Sequence, residues 1–433
     1  MLSSLLSEFK SPFPANADGK RPAMGLETAF VLLSLALYMD PVIEIVFGIR
    51  VYNILTQPAY LLTYLVVAYF LYRDRDRTVP FIKNGGLLWL VLFLPLLSTA
   101  WSLYPDVTLR RSFALVNNGL FGVYLATRYS LKEFLSLLRY VFIFIVLLSL
   151  LFAVAFPWWG LVQEIHVGAL RGVFTHKNGA GVRLAIAAIV FLLCYIDRIG
   201  SRALNLALFI LTSGMTVATQ SSTGLGALLL SIAALPFLFI PRGKLSQMMP
   251  AIFGTLFVGF VTLLFVVDNA DTVLAAFGES SNLTGRATFW PIVIDGIYEK
   301  FWIGYGYEAF WAGGFDGPAA ILIHLATVKA KFHAHNGFLE MMLSIGFVGT
   351  AVFMCSLWST ILNLILKLRE SQGVASFFPI LFLIQFFAMN MVETSIYSYN
   401  NVQWLIFMFI TALAVKWEFN RRAQERLRRV PTA

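Results

Sequence analysis

His335-Asn336-Gly337-Phe338-Leu339-Glu340-Met341-Met342-Leu343-Ser344-Ile345-Gly346-Phe347-Val348-Gly349 is where a long polar loop, about residues 268–334, runs back into an apolar helix. The stretch holds a titratable imidazole at an expected membrane–water boundary, beside a loop large enough to cover a substrate. In a chain otherwise built of apolar runs, that junction is where chemistry is expected.

The apolar runs decide the class. Of 433 residues, 59% are hydrophobic and 13% charged, with mean hydropathy +0.77, whereas a soluble domain carries about 25% charged residues. Runs of roughly 17–25 apolar residues, each long enough to cross a bilayer as a helix, recur along the chain. A β-barrel would instead show short alternating segments. The expectation is an all-α polytopic membrane protein of about twelve spans. Its parts are an N-terminal segment (1–24), spans one to nine (25–267), the large outer loop (268–334), spans ten to twelve (335–417) and a basic tail (418–433). Cys194 and Cys355 lie inside apolar runs and read as small buried hydrophobes rather than a disulfide pair. The first twenty residues lack an apolar core, so no cleavable leader is expected and the first span serves as the insertion signal.

Charge orients the spans. Twenty-two of the 32 Lys and Arg residues fall on the side holding the N-terminus. By the positive-inside rule both termini are expected in the cytoplasm and the large loop outside. The basic tail then reads as a topology anchor near anionic lipid. Cations on the other side run against this bias. They cluster in residues 158–177 and in the loop, with Arg183 inside the sixth span, where an ionisable residue suggests function. Snorkelling to lipid headgroups is the plain alternative.

Three constellations carry candidate chemistry. Arg171-Gly-Val-Phe-Thr-His176-Lys177-Asn178-Gly179 leads into a span whose N-terminus faces outward. Free N–H groups and helix polarity there suit phosphate, although a capped helix with ordinary loop glycines looks much the same. Arg286, in Leu283-Thr284-Gly285-Arg286, is a fixed cation able to grip phosphate bidentately, or to pair with Glu279 or Asp295. His335 can take a proton near neutral pH. His324, His333 and His335 match no common zinc spacing, and the outer side lacks an acidic cluster to complete a site, so no metal is expected. Asp74-Arg75-Asp76 has the spacing of a metal-and-sugar-nucleotide motif, but flanking arginines make it a charged turn at the membrane edge. No nucleotide-binding Gly-rich loop, serine nucleophile elbow or Cys-x-x-Cys is present.

Taken together, the motifs resemble the O-antigen ligase superfamily of bacterial envelope glycan enzymes. His335-Asn336, nine residues, then Gly346-x-x-Gly349 is similar to that family's loop-closing motif. Arg286 fits its Arg-x-x-x-Leu element, with Trp290 in place of Leu. Thr284-Gly285-Arg286, Ile303-Gly304-Tyr305-Gly306-Tyr307 and Phe174-Thr175-His176-Lys177-Asn178 look like the exopolysaccharide and O-antigen polymerase branch. The resemblance covers roughly residues 165–420. It departs at Gln220-Ser221-Ser222-Thr223-Gly224, where lipopolysaccharide ligases carry a second arginine. Lys177 or Arg183 is the candidate replacement.

The resemblance implies a GT-C-like glycosyltransferase of the inner membrane with a periplasmic site. It would move a glycan from an undecaprenyl-diphosphate-linked oligosaccharide to a sugar hydroxyl, with inversion and without metal or other cofactor. His335 would be the base, Asn336 would orient the acceptor or the imidazole, and Arg286 would grip the diphosphate with Arg171 and Lys177. His176 and Asn178 would shape the donor site. Glu393 would position an acceptor hydroxyl or pair with a cation. Trp290, Trp302, Trp311 and the tyrosines near 305–307 would stack on sugars or pack the loop. The partners expected are the lipid-linked glycan, membrane lipid and a chain-length regulator or flippase, with no nucleic acid. Polymerisation of repeat units is favoured. The alternatives are ligation to lipid A core, another lipid or a protein, and transport of a lipid-linked oligosaccharide. Transport would call for paired halves and broken mid-membrane helices.

Overall fold

The computed structural model describes residues 25–39, 43–163, 166–238, 254, 286–319, 333–371 and 373–428. In chain order the main helices are α1 (Leu26–Leu37), α2 (Ile43–Arg73), α3 (Arg75–Asn84), α4 (Gly86–Leu97), α5 (Pro105–Arg128), α6 (Leu131–Ala155), α7 (Lys177–Ile196), α8 (Arg202–Ala218), α9 (Ser222–Leu238), α10 (Arg286–Glu299), α11 (Gly337–Glu370), α12 (Phe378–Asn390) and α13 (Val402–Arg428). Among the described residues the only paired extended backbone is the isolated bridge Leu161–Leu170. Side-chain caps set several boundaries. Ser130 and Glu133 form a reciprocal capping box at α6, and the Ser201 hydroxyl accepts from Leu204 N–H at α8. Each meets N–H groups that a helix start leaves without partners.

Five described stretches are long and apolar enough to cross a bilayer: Ile54–Arg73, Leu131–Ala155, Lys177–Ile196, Gly337–Glu370 and Val402–Leu427. The pair α3 and α4, bent by 87° at Gly85, makes six if taken as one broken span. α1, α8, α9 and the stretch Val374–Asn390 are apolar but shorter. The expected ninth span (249–267) and most of the loop lie outside the described residues. Two boundaries and one burial differ from expectation. α2 runs unbroken through residues 50–52, where the sequence reading places a break between the first two spans. α13 continues to Arg428 through the expected tail, supported by pairs such as Arg421–Glu425 at i,i+4. Cys355 is exposed, while Cys194 is buried as expected.

The chain forms two compact units. The first comprises Met1–Leu61, Tyr129–Ser281 and Leu368–Gln385. Within it α7 is central, with α6, α8 and α9 against it. α7 and α9 cross closely at Gly181 and Gly224: a Cβ on Gly224 would lie 2.5 Å from the Gly181 carbonyl carbon. Arg139 is buried on α6 and donates from Nε to Asn205 Oδ1 at 2.5 Å. Asp197 accepts from the Val374 and Ala375 N–H groups at 2.7 and 2.8 Å, capping the short turn Val374–Phe377.

The second unit comprises Leu62–Arg128, Asn282–Lys367 and Phe386–Ala433. α5 and α13 pack along one another. At its edge Arg73 pairs through two nitrogens with Asp74, at 3.0 and 2.9 Å. That bond, with the charges of Arg73, Arg77 and Arg128, holds the Asp74 carboxyl below its usual range. This agrees with a charged turn rather than a metal motif.

The distinctive feature of the second unit is a break in α11. Gly346 has φ 62° and ψ −168°, and residues 301–306 lie against the interruption. Tyr305 and Gly306 N–H groups donate to Leu343 and Ser344 carbonyls at 2.8 and 3.0 Å. Phe347 and Val348 N–H groups donate back to Phe301 and Trp302 at 2.8 and 3.1 Å. Only glycine permits this approach. A Cβ on Gly304 (φ +68°) would lie 2.6 Å from the Leu343 oxygen, and one on Gly346 would lie 2.5 Å from the Trp302 carbonyl carbon. The described loop residues build a small core here from Val293, Ile297, Tyr305, Phe310, Ala334 and Leu343. Gly304→Ala is therefore expected to lower stability by about 2 kcal/mol or more, since left-handed strain alone costs about 1–3 kcal/mol. Gly214→Ala, which meets nothing within 4 Å on α8, is expected to leave stability unchanged or slightly raised. Thermal unfolding of the two variants in detergent checks this.

Candidate active site

The start of α11 is fixed by Asn336. Its Oδ1 accepts from Phe338 and Leu339 N–H groups at 2.9 and 3.2 Å, and its Nδ2 donates to Met391 O at 3.2 Å. Gly337 N–H donates to Glu393 O at 3.1 Å. Asn390 Oδ1 accepts from Ser395 and Ile396 N–H groups and so orders the turn that carries Glu393. These bonds bring a carboxylate from the end of α12 to the residue preceding the cap. That residue, His335, has φ +49°, a conformation side-chain-bearing residues seldom adopt. Its Nδ1 lies 3.7 Å from Glu393 Oε2 and has no hydrogen-bond partner among the described residues. The His333 ring lies beside it, centroids 3.9 Å apart, and His333 Nδ1 accepts from His335 N–H at 3.3 Å.

A buried polar frame supports this loop. Trp290 Nε1 donates to Ala334 O at 3.1 Å. Glu340, in the first turn of α11, is buried; it accepts from Ala334 N–H at 2.9 Å and from Trp311 Nε1 at 2.6 Å. Glu308 (φ +60°) pairs with Arg111 at 2.6 Å. Glu308, Glu340, Ser344, Thr394 and Ser398 line a cavity of about 30 Å³, room for a water or a hydroxyl. Burial pushes the phenols of Tyr305, Tyr307 and Tyr397 above their ordinary value, which keeps them neutral. Tyr305 donates to Gly296 O, and Tyr307 donates to Tyr397 O.

Several sequence expectations are refined by this geometry. Asn336 caps a helix, with both ends of its amide on backbone, and does not present itself to an acceptor. Tyr305 and Tyr307 are 3% and 2% exposed, which leaves no face for a sugar. Trp290 and Trp311 tie the loop together, whereas Trp302 is exposed. Arg286 is the first residue of α10, and its side chain lies outside the described residues, as do His324 and Glu279. An acidic partner for the histidines does exist, in Glu393. Sequence reasoning missed Arg111, Glu308 and Glu340; Glu308 directly follows Gly304-Tyr305-Gly306-Tyr307, the one signal that pointed near it.

The first unit holds the other candidates. His176 is exposed and precedes α7 with no side-chain cap bond. Arg171 donates to the Trp159 and Trp158 carbonyls at 3.0 and 3.2 Å, which makes it a loop clamp. Arg183 donates to Gly179 O at 3.2 Å and stacks over Phe174 at 5.2 Å. Lys177 Nζ donates to Gln220 O at 2.7 Å. Lys177, one of the two cations considered as replacements for the absent arginine, thus reaches the 220–224 junction. Asn178, beside it, is half-buried.

The capping role of Asn336 makes a testable distinction. Asn336→Asp keeps an N-cap oxygen, and Asn336→Ala removes it at about 1 kcal/mol. Thermal unfolding in detergent is expected to show a smaller loss for the first change than for the second. Equal loss in both would assign the stabilisation to the Nδ2 bond to Met391 O rather than to the cap.

With the geometry in hand, two comparisons bear on identity. Residues 206–354 match the family model described as O-Antigen ligase. That span includes His335, Asn336, Gly346, Gly349, Arg286 and the 220–224 junction; it excludes Glu393 and the 171–183 run. The chain is also similar to "Exopolysaccharide production protein ExoQ" of Rhizobium meliloti (strain 1021), at 27% identity over 222 residues. That alignment covers 48% of this chain and 50% of the relative, so the chain matches about half the length of that protein. Both findings give this multi-helix membrane chain a likeness to the O-antigen ligase/polymerase superfamily.

Proposed function

We propose that this protein is a glycosyltransferase of the bacterial inner membrane that polymerises undecaprenyl-diphosphate-linked repeat units of an exopolysaccharide or O-antigen on the periplasmic face. The observation that carries the reading is the His335–Glu393 pair, held at 3.7 Å at the mouth of α11. An imidazole backed by a carboxylate suits abstraction of a hydroxyl proton, and such catalytic contacts are commonly long without substrate and close when it binds. The acceptor hydroxyl oxygen attacks the anomeric carbon. The bond from that carbon to the diphosphate oxygen breaks, undecaprenyl diphosphate departs with the electron pair, and the hydroxyl proton passes to His335. Diphosphate is a good leaving group, so the main further need is fixed positive charge where negative charge develops. Arg286 is the candidate in the second unit.

The relative's role in exopolysaccharide production favours polymerisation. The family description favours ligation to lipid A core, another lipid or a protein as the second reading. A purified lipid-linked repeat unit separates them, because a polymerase lengthens chains on the carrier with no other acceptor present. In that assay His335→Ala is expected to lower the rate by about 10²–10⁴-fold, the usual share of a general base, and Glu393→Gln by less. Full activity of His335→Ala, or labelling of position 335 from the cytoplasm, would remove the proposal.

A further inference from the structure

We infer that His333, His335 and Glu393 form a binding site for a divalent transition-metal ion of the zinc class, and that an ion held there inhibits the enzyme. One ligand atom from each of the three residues lies within 4.8 Å of the other two. Imidazole and carboxylate are a donor set that zinc accepts readily, and three protein ligands leave a fourth position open. Bonds of about 2.1 Å in a tetrahedron place neighbouring ligands about 3.4 Å apart; His335 Nδ1 and Glu393 Oε2 stand at 3.7 Å. That is too long for a hydrogen bond and close to the edge a bound ion would require. His335 Nδ1 is buried without a hydrogen-bond partner among the described residues, so no existing bond opposes coordination there. The left-handed backbone at His335 sets the two imidazoles side by side, centroids 3.9 Å apart; an ion on His333 would take the place of its bond from His335 N–H.

Inhibition follows from the lone pair. A neutral imidazole has one nitrogen able to accept a proton, and a metal on that nitrogen leaves His335 none for a hydroxyl. This half of the inference rests on the reading of His335 as base; the binding does not. Hard cations such as Mg²⁺ prefer oxygen ligands and are expected to bind poorly here.

The test uses the full chain in detergent, purified without a histidine tag. Zinc titrated by calorimetry is expected to bind at one ion per chain. The informative variant is His333→Asn. Its side-chain oxygen can still accept the N–H two residues on, as in an Asx-turn, yet it is a poor zinc ligand. It should fold, bind zinc about tenfold or more weakly, and, measured against its own zinc-free rate, tolerate correspondingly more zinc before inhibition. Glu393→Gln should weaken zinc binding similarly. Absence of saturable binding, or binding unchanged in both variants, overturns the site. Activity lost on chelation and restored by zinc overturns the inhibitory role. Should zinc fail to bind while His335→Ala remains inactive, only this inference falls. Should His335→Ala stay active, it is the proposed reaction that falls.

Discussion

The second unit depends on a close backbone approach, that of residues 301–306 to the interrupted helix α11. A helix broken within an apolar layer strands carbonyl and amide groups, and each left unpaired there costs several kcal/mol. The break at Gly346 is met from both sides: Leu343 and Ser344 carbonyls receive the Tyr305 and Gly306 N–H groups, while Phe347 and Val348 N–H groups find the Phe301 and Trp302 carbonyls. The loop thus replaces the hydrogen bonds the helix gives up, and the break exists only because the loop is there.

The candidate site inherits its rigidity from that exchange. Trp101 Nε1 donates to Ile303 O, and Thr108 Oγ1 donates to Tyr307 O, so the turn before α5 and the first turn of α5 grip the same loop. Glu340 is the next layer, joining Trp311 to the amide of Ala334. A left-handed histidine costs energy and persists only where its surroundings over-determine it. Here Trp290, Glu340 and His333 all bond backbone within one residue of it, and Asn336 caps the helix that follows. His335 is therefore presented by a scaffold rather than by a free loop, as proton transfer at a defined atom requires.

Much of this was legible in the residues. Apolar runs announced helices, Asn336 and Gly346 stood in a recognisable relation, and the Asp74 turn was read from its arginines. What escaped was of two kinds. Long-range pairing leaves no local trace, so Glu393 could be named but not joined to His335, and Arg111 could not be joined to Glu308. Burial also hides in composition. Tyr305 and Tyr307 look like sugar-binding aromatics beside a loop, yet their hydroxyls are turned to backbone oxygens. Asn336 looked chemical because it follows a histidine, although asparagine before an apolar run is equally the mark of a helix start. The helix break was hidden because an apolar sequence with one glycine reads as continuous; only the facing glycine at 304 explains it.

The relation between His335 and Glu393 then carries the functional argument. At 3.7 Å the pair is poised rather than bonded. A small closure would turn the contact into a hydrogen bond. In the proposed reaction that closure would accompany transfer of the acceptor hydroxyl's proton to the ring. Stabilisation that grows toward the transition state raises rate, whereas stabilisation already complete in the resting site does not. The same looseness leaves room for a compact cation between the two groups, so the spacing that serves proton transfer also makes the site vulnerable to a metal.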